Sequence, residues 1–137
     1  MNYLLDTNVC IALINGKPPV VRMRFQRMLH AKGEAYVSSV VAFELWYGVG
    51  KSTQKENNTK RLHAFFDGPI RPLAFEPEDA RSAGEIRARL EADGKPIGAY
   101  DLLIAGQALR HGFTLVTANV AEFARIEGLH WQDWAKP

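Results

Sequence analysis

Tyr3, Leu4 and Leu5 form a short apolar run that stops abruptly at Asp6, and this junction constrains the fold more than any other stretch. A continuous apolar run bounded by a polar residue suits a strand buried on both faces, as in a parallel sheet. Thr7 and Asn8 are good helix N-cap residues, and Val9 to Ile14 is apolar enough to be a packed helix. Asp6 then falls at the carboxyl end of a central strand, where open α/β sheets place their ligands. A carboxylate there is costly unless a cation or hydrogen-bond donors neutralise it. The competing reading is that Asp6 caps the helix and does nothing else; this stretch alone leaves both open.

The remaining chain repeats the strand–helix alternation. Pro18 and Pro19 open a second helix that Gly33 ends, and Ala35 to Ser38 reads as a short strand. Ser38 or Ser39 can cap the next helix, Val40 to Val49, which is apolar except for Glu44. Lys51 to Lys60 is polar and basic without an apolar period, so an exposed arm or helix–helix turn is expected; an amphipathic pattern resumes over Arg61 to Asp67. Ile70 to Phe75 suggests a strand that Pro72 confines to a sheet edge. Pro77 opens a helix to about Ala92, with Ala80, Ala83, Ile86 and Leu90 on one face. After a turn-rich loop, Asp93 to Gly98, come an apolar helix over Ala99 to Arg110 and a strand over Phe113 to Thr117. Ala118 to Glu122 reads as a turn or short helix, and Leu129 to Trp131 as a last strand. This order argues for one α/β domain over residues 1–137, with helices on both faces of a parallel sheet.

Two further acids stand where an apolar helix does not need them. The helical neighbours of Glu44 are Val40, Val41, Tyr47 and Gly48, so its face offers no ion partner. It either escapes to solvent or points into a site. Asp101 lies in the first turn of its helix on a face continued by Ile104, Ala105 and Ala108, where the helix dipole alone could account for it. Asn119 and Glu122 follow the Phe113 strand as Asp6 follows the first, so a parallel sheet brings them to the same edge. Crowded carboxylates raise one another's pKa until a cation resolves the conflict. Oxygen-only ligands suit Mg²⁺ or Mn²⁺ and not zinc. Two such ions roughly 4 Å apart can activate water and stabilise the leaving oxygen in phosphodiester cleavage.

Composition removes other classes. With 47% hydrophobic and 23% charged residues the chain is globular, and no run reaches the ~18 apolar residues of a membrane span. No basic region followed by an apolar core stands at the N-terminus, so no secretory leader is expected. The single cysteine, Cys10, precludes an internal disulfide and lies on an apolar helix, so a buried thiol in a reducing cytoplasm is expected. The four histidines lack metal-ligand spacing, and no phosphate-loop or dinucleotide fingerprint is present. The formal charge of +2 neither requires nor excludes a nucleic-acid partner. Trp46 with Tyr47, and Trp131 with Trp134, read as core or interface. The basic residues of 51–61 are a solvated face or an RNA contact.

The motifs have a familiar order. Leu5-Asp6-Thr7-Asn8, Ala42-Phe43-Glu44-Leu45 with Gly48, Pro96-Ile97-Gly98 before Tyr100-Asp101-Leu102-Leu103-Ile104-Ala105, and Leu115-Val116-Thr117-Ala118-Asn119 with Glu122-Phe123 resemble the PIN-domain ribonucleases. Within them the chain resembles a VapC-type toxin of bacterial toxin–antitoxin modules. The resemblance covers residues 2 to about 134 and rests on the order and spacing of motifs together. It implies a three-layer α/β/α sandwich with a mostly parallel sheet, an acidic Mg²⁺ or Mn²⁺ site, and cleavage of tRNA or another structured RNA. It also implies a homodimer and a VapB-like antitoxin. Asp6, Glu44 and Asp101 fall on the family's three most characteristic acids. Where many members carry a fourth acid this chain has Asn119. That leaves three possibilities: Asn119 ligates through its amide oxygen, Glu122 substitutes, or a single ion binds tightly.

Two rival readings compete for the same residues. A phosphatase-like hydrolase would use Asp6 as nucleophile, but Asn8 stands where its general acid belongs. An inert PIN-like binding module would have no structural use for three acids on apolar faces.

Overall fold

Leu4 and Leu5 point to opposite faces of their strand, yet neither has any exposed surface. Both faces of that strand are therefore covered, as the apolar run requires. The computed structural model describes residues 1–136. Its strands are β1 (Asn2–Leu5), β2 (Glu34–Ser38), β3 (Arg71–Leu73), β4 (Thr114–Val116) and β5 (Trp131–Gln132). They form one wholly parallel sheet in the order β3-β2-β1-β4-β5. β1 is central, and β3, carrying Pro72, is an edge.

Between the strands run α1 (Thr7–Asn15), α2 (Pro19–His30), α3 (Ser39–Gly50), α4 (Lys55–Phe66), α5 (Pro77–Ala92), α6 (Ala99–His111) and α7 (Val120–Phe123). Helices on both sides of the sheet make the α/β/α sandwich. From β1 the chain first builds outward through β2 to β3. It then crosses back through α5 and α6 to place β4 on the other side of β1. Strand order thus reverses between β1 and β4, which is where open α/β sheets leave a crevice beyond their carboxyl ends. The register fixes its floor: Leu5 pairs with Val116 and Val116 with Gln132. The next row along this rim is Asp6, Thr117 and Asp133.

Capping explains where the helices flanking this rim begin. Asp6 has extended backbone and accepts the Val9 N–H at 2.9 Å, so α1 starts at Thr7, earlier than its apolar run suggests. Ser38 does the same for α3, accepting the Val40 N–H at 3.0 Å. The core gathers Leu4, Leu5, Val41, Ile104, Leu115, Val116 and Phe123, each with almost no exposed surface and each contributing about 1.5–3 kcal/mol by burial. Cys10 is buried among them.

Three local expectations are corrected. α4 starts at Lys55, inside the stretch read as an arm or turn, because only Leu62 of that helix is fully buried and its first turns have no apolar face to announce them. β5 lies at Trp131–Gln132 and not Leu129–Trp131; Leu129 is buried before pairing begins. Ala80 is exposed, while Ala83, Ile86 and Leu90 form the buried stripe of α5. Among the described residues no helix is long and apolar enough to cross a membrane.

Candidate active site

Asp6 follows β1, Glu44 lies in α3, Asp101 in the first turn of α6, and Asn119 and Glu122 at α7 beyond β4. These five side chains reach the rim above the β1–β4 crevice by separate routes. Asp6 is only 7% exposed, and its capping bond to Val9 uses Oδ1. Asp6 therefore caps α1 through one of its two carboxylate oxygens. Glu44 does not escape to solvent: its Oε1 accepts the Thr7 hydroxyl at 2.7 Å, which turns the carboxylate toward the start of α1. The Asn119 amide nitrogen donates to Glu122 Oε2 at 3.0 Å and, more weakly, faces Asp101 Oδ2 at 3.5 Å. Asn119 thus ties Asp101 to Glu122, and in this arrangement its N–H₂ group, not its oxygen, faces the acids.

The electrostatics are those of a site short of positive charge. Burial pushes the Asp101 carboxyl up to about 7, reinforced by a hydrogen bond and charge from Glu122 and by the charges of Asp6 and Glu44. Burial also raises Asp6; the Thr117 hydroxyl and the Val9 N–H pull it back, while Glu44 and Asp133 add to the rise. Among the described residues no ion pair engages Asp6, Glu44, Asp101 or Glu122. Nor do any three His, Cys, Asp or Glu side chains close into a ready ligand cage. The acids converge on one rim without clustering tightly. The donor set still fits a hard divalent cation: every candidate donor is oxygen, and the charge is unbalanced without one.

Three participants were not singled out from the sequence. Thr7 looked like a cap but anchors Glu44. Thr117, fully buried, supports Asp6 and accepts the Asn119 backbone N–H at 3.0 Å. Asp133 occupies the same rim row beyond β5. Thr117 had a legible signal, since it follows β4 as Asp6 follows β1. The phosphatase alternative gains nothing here, because Asn8 is exposed and offers no acid beside Asp6.

An acidic, oxygen-only rim at the switch point of a parallel sheet defines a class of α/β domain suited to hydrolytic phosphodiester chemistry. Residues 3–129 match the PIN domain, and the chain belongs to that family, as a ribonuclease toxin of the VapC type. It is 39% identical over 135 residues to the tRNA(fMet)-specific endonuclease VapC of Shigella flexneri, covering 98% of this chain and 99% of that one. It is also 39% identical over 136 residues to ribonuclease VapC2 of Rickettsia felis, covering 99% and 100%. The solved VapBC2 of Rickettsia felis, bound to a DNA fragment from its promoter, superposes with a TM-score of 0.91 at 37% identity over 98% of this chain and 99% of that one.

Proposed function

We propose that this ribonuclease is Mg²⁺-dependent, with Mn²⁺ able to substitute, and that Asp6, Asp101 and Glu44 hold the ion. A bound divalent ion would polarise the scissile phosphate and acidify a water. The chain's own residues do the rest. Asp6 presents one carboxylate oxygen from a backbone fixed by its cap, and Thr7 holds Glu44 in the orientation needed to ligate or to direct the attacking water. Asn119 joins Asp101 to Glu122, so Glu122 is the better candidate for the outer ligand and Asn119 for its tether. The supporting observation is convergence: acids from β1, α3 and α6 end at one rim with no basic side chain paired to any of them.

The Shigella flexneri relative's name makes tRNA the first substrate to test. The VapBC assemblies among similar structures support a VapB-like antitoxin as partner. The whole of residues 1–137 is read as one nuclease domain acting in the cytoplasm, assembled as a homodimer. The test is brief induction in cells followed by sequencing of new RNA ends, with Asp6→Asn and Asp101→Asn as controls. Wild type arrests growth and yields discrete cuts; each variant loses both while retaining its fold. A variant that cuts at the wild-type rate refutes the assignment of its residue.

A further inference from the structure

Asp101 is carried by a helix with a weak beginning. The N-cap of α6 is Gly98, which has no side chain to hold the first free N–H groups, so this turn leans on the loop before it. Its first backbone bond runs from the Leu102 N–H to the Gly98 carbonyl at 3.1 Å. A β-carbon on Gly98 would lie 3.7 Å from Asp101 Oδ2, so the loop end and the carboxylate are neighbours. The loop itself, residues 93–98, is exposed apart from a half-buried Ile97. Its turn bonds reach only back into α5, from Asp93 to Arg89, Gly94 to Glu91 and Lys95 to Leu90.

Among the described residues, one hydrogen bond joins this loop to any part of the chain beyond α5 and α6. Arg125 donates it, from Nη1 to the Pro96 carbonyl at 3.1 Å. Arg125 stands three residues beyond Glu122, and its own N–H bonds the Glu122 carbonyl at 3.2 Å. That turn is firmly seated, because Phe123 and Ile126 are both buried. The arginine thus reaches from the turn that bears Glu122 to the loop that leads into Asp101. Among the described residues no carboxylate is paired with its guanidinium, so an ion pair does not account for its place.

We propose that Arg125 is a positioning residue: by gripping the Pro96 carbonyl it holds the first turn of α6 against α7 and so fixes Asp101 relative to Glu122 for a divalent cation. The proposal rests on the metal-ion reading above and adds what keeps two of its candidate ligands in register. The charges explain the need. Glu122 opposes the charge of Asp101 until a cation arrives, and that repulsion pushes an uncapped turn outward.

The test titrates Mn²⁺ into the full chain without RNA, read by electron paramagnetic resonance, and follows amide hydrogen exchange in the metal-free protein. Arg125→Met keeps the aliphatic stem and removes every donor. Coulomb's law alone predicts that losing a cation near the site tightens Mn²⁺ binding. The clamp predicts the opposite sign: Mn²⁺ should bind roughly tenfold more weakly, the order of one hydrogen bond from a charged group. The Leu102 amide should exchange roughly tenfold faster, while the amides of β1 keep their protection. Arg125→Lys, which still donates to the carbonyl, should recover most of both. Glu127→Gln breaks only an exposed 3.8 Å pair with Arg89 and should change neither. Unchanged or tighter Mn²⁺ binding in Arg125→Met overturns the proposal; a raised KM for RNA beside it gives the arginine to a substrate phosphate instead. Unchanged exchange at Leu102 overturns it as well. The two readings fail separately. Wild type that binds no Mn²⁺ removes the metal reading, and exchange at Leu102 then decides the clamp by itself.

Discussion

Thr7 Oγ1 donates a 2.7 Å hydrogen bond to Glu44 Oε1, linking the first turn of α1 to the middle of α3 across 37 residues of chain. The bond lies beside Asp6, so the residue following one proposed ligand aims another. Thr7→Val keeps the shape and removes the donor. Hydrogen bonds to charged groups contribute about 1.5–3 kcal/mol, so a freed Glu44 should lower kcat by roughly tenfold. Thr7→Ser should restore most of the rate. Because the pair is only partly buried, the melting temperature should shift little. A Thr7→Val enzyme with an unchanged kcat would leave the bond without a role in positioning.

Asp101 gives a pH signature. Its folded-state carboxyl titrates near 7, above the ordinary aspartate value of 3.8, because burial and then Glu122, Asp6 and Glu44 oppose its charge. Between those values the folded state holds a proton that the unfolded state has lost. Unfolding free energy of the metal-free protein should therefore fall as pH rises from about 4 to about 7. Asp101→Asn should flatten that slope and leave the metal-free protein equally or more stable at neutral pH, by about 1 kcal/mol. Mg²⁺ should raise the wild-type melting temperature and that of the variant less. Melts across pH, with and without Mg²⁺, decide the point; identical curves for the two proteins contradict it.

Asp79 behaves in the opposite sense. It is fully buried, yet Arg110 Nε reaches its Oδ1 at 2.6 Å, the Glu76 N–H its Oδ2 at 2.7 Å, and His111 lies 3.7 Å away. Burial raises this carboxyl, but those hydrogen bonds and the Arg110 and His111 charges outweigh it and hold it below the ordinary value. The stability it contributes is present above about pH 4 and is lost as pH falls through the depressed value. Asp79→Ala removes the shorter of Arg110's two ion pairs, leaving Glu76 at 3.3 Å, and leaves the Gln107 amide nitrogen, 3.5 Å from Asp79, with the Ala74 carbonyl at 3.2 Å. The loss should be about 3 kcal/mol at neutral pH, with a shallower acid limb, measured by urea unfolding at several pH values. A loss as large at pH 3 as at pH 7 would disprove the ionic account.

Much of this fold could be read from local signals, and the failures have physical causes. β1 was legible because burial on both faces demands an unbroken apolar run, and β3 because Pro72 has no N–H for a second neighbour. The start of α4 was not, because the residues that seat this helix, Leu62, Phe65 and Phe66, all lie in its second half and leave no period in Lys55 to Lys60. In the site, Asp6, Glu44 and Asp101 stood out because an acid on an apolar face needs a reason. Thr7 and Thr117 did not, because a hydroxyl at a strand end or helix start is ordinary capping chemistry until the third dimension shows what it touches. Asp79 was hidden for the same reason: at the start of a helix an acid looks like a dipole partner, and only the packing of α5 on α6 reveals Arg110 above it.

That packing supplies the last prediction, a contrast between two glycines. A β-carbon on Gly106 of α6 would stand 2.7 Å from the Ala83 nitrogen and 2.8 Å from its Cα and Cβ, so α5 and α6 touch backbone to backbone there. No flexible side chain can yield, and Gly106→Ala must push the helices apart. Overpacking of this kind costs about 1–3 kcal/mol or more, against which the better helix propensity of alanine recovers less than 1. Gly84, one residue beyond Ala83 in α5, is exposed, and a β-carbon there meets nothing within 4 Å. Gly84→Ala should therefore stabilise the protein by about 0.5–1 kcal/mol. Because α6 carries Asp101 at its start, displacing it should also move that acid from the rim, so Gly106→Ala should lose RNA cleavage at temperatures where it remains folded. Gly84→Ala should cut like wild type. Denaturant melts and cleavage rates on the pair give the answer, and equal stability of the two variants would mean that the helices are not in backbone contact at Gly106.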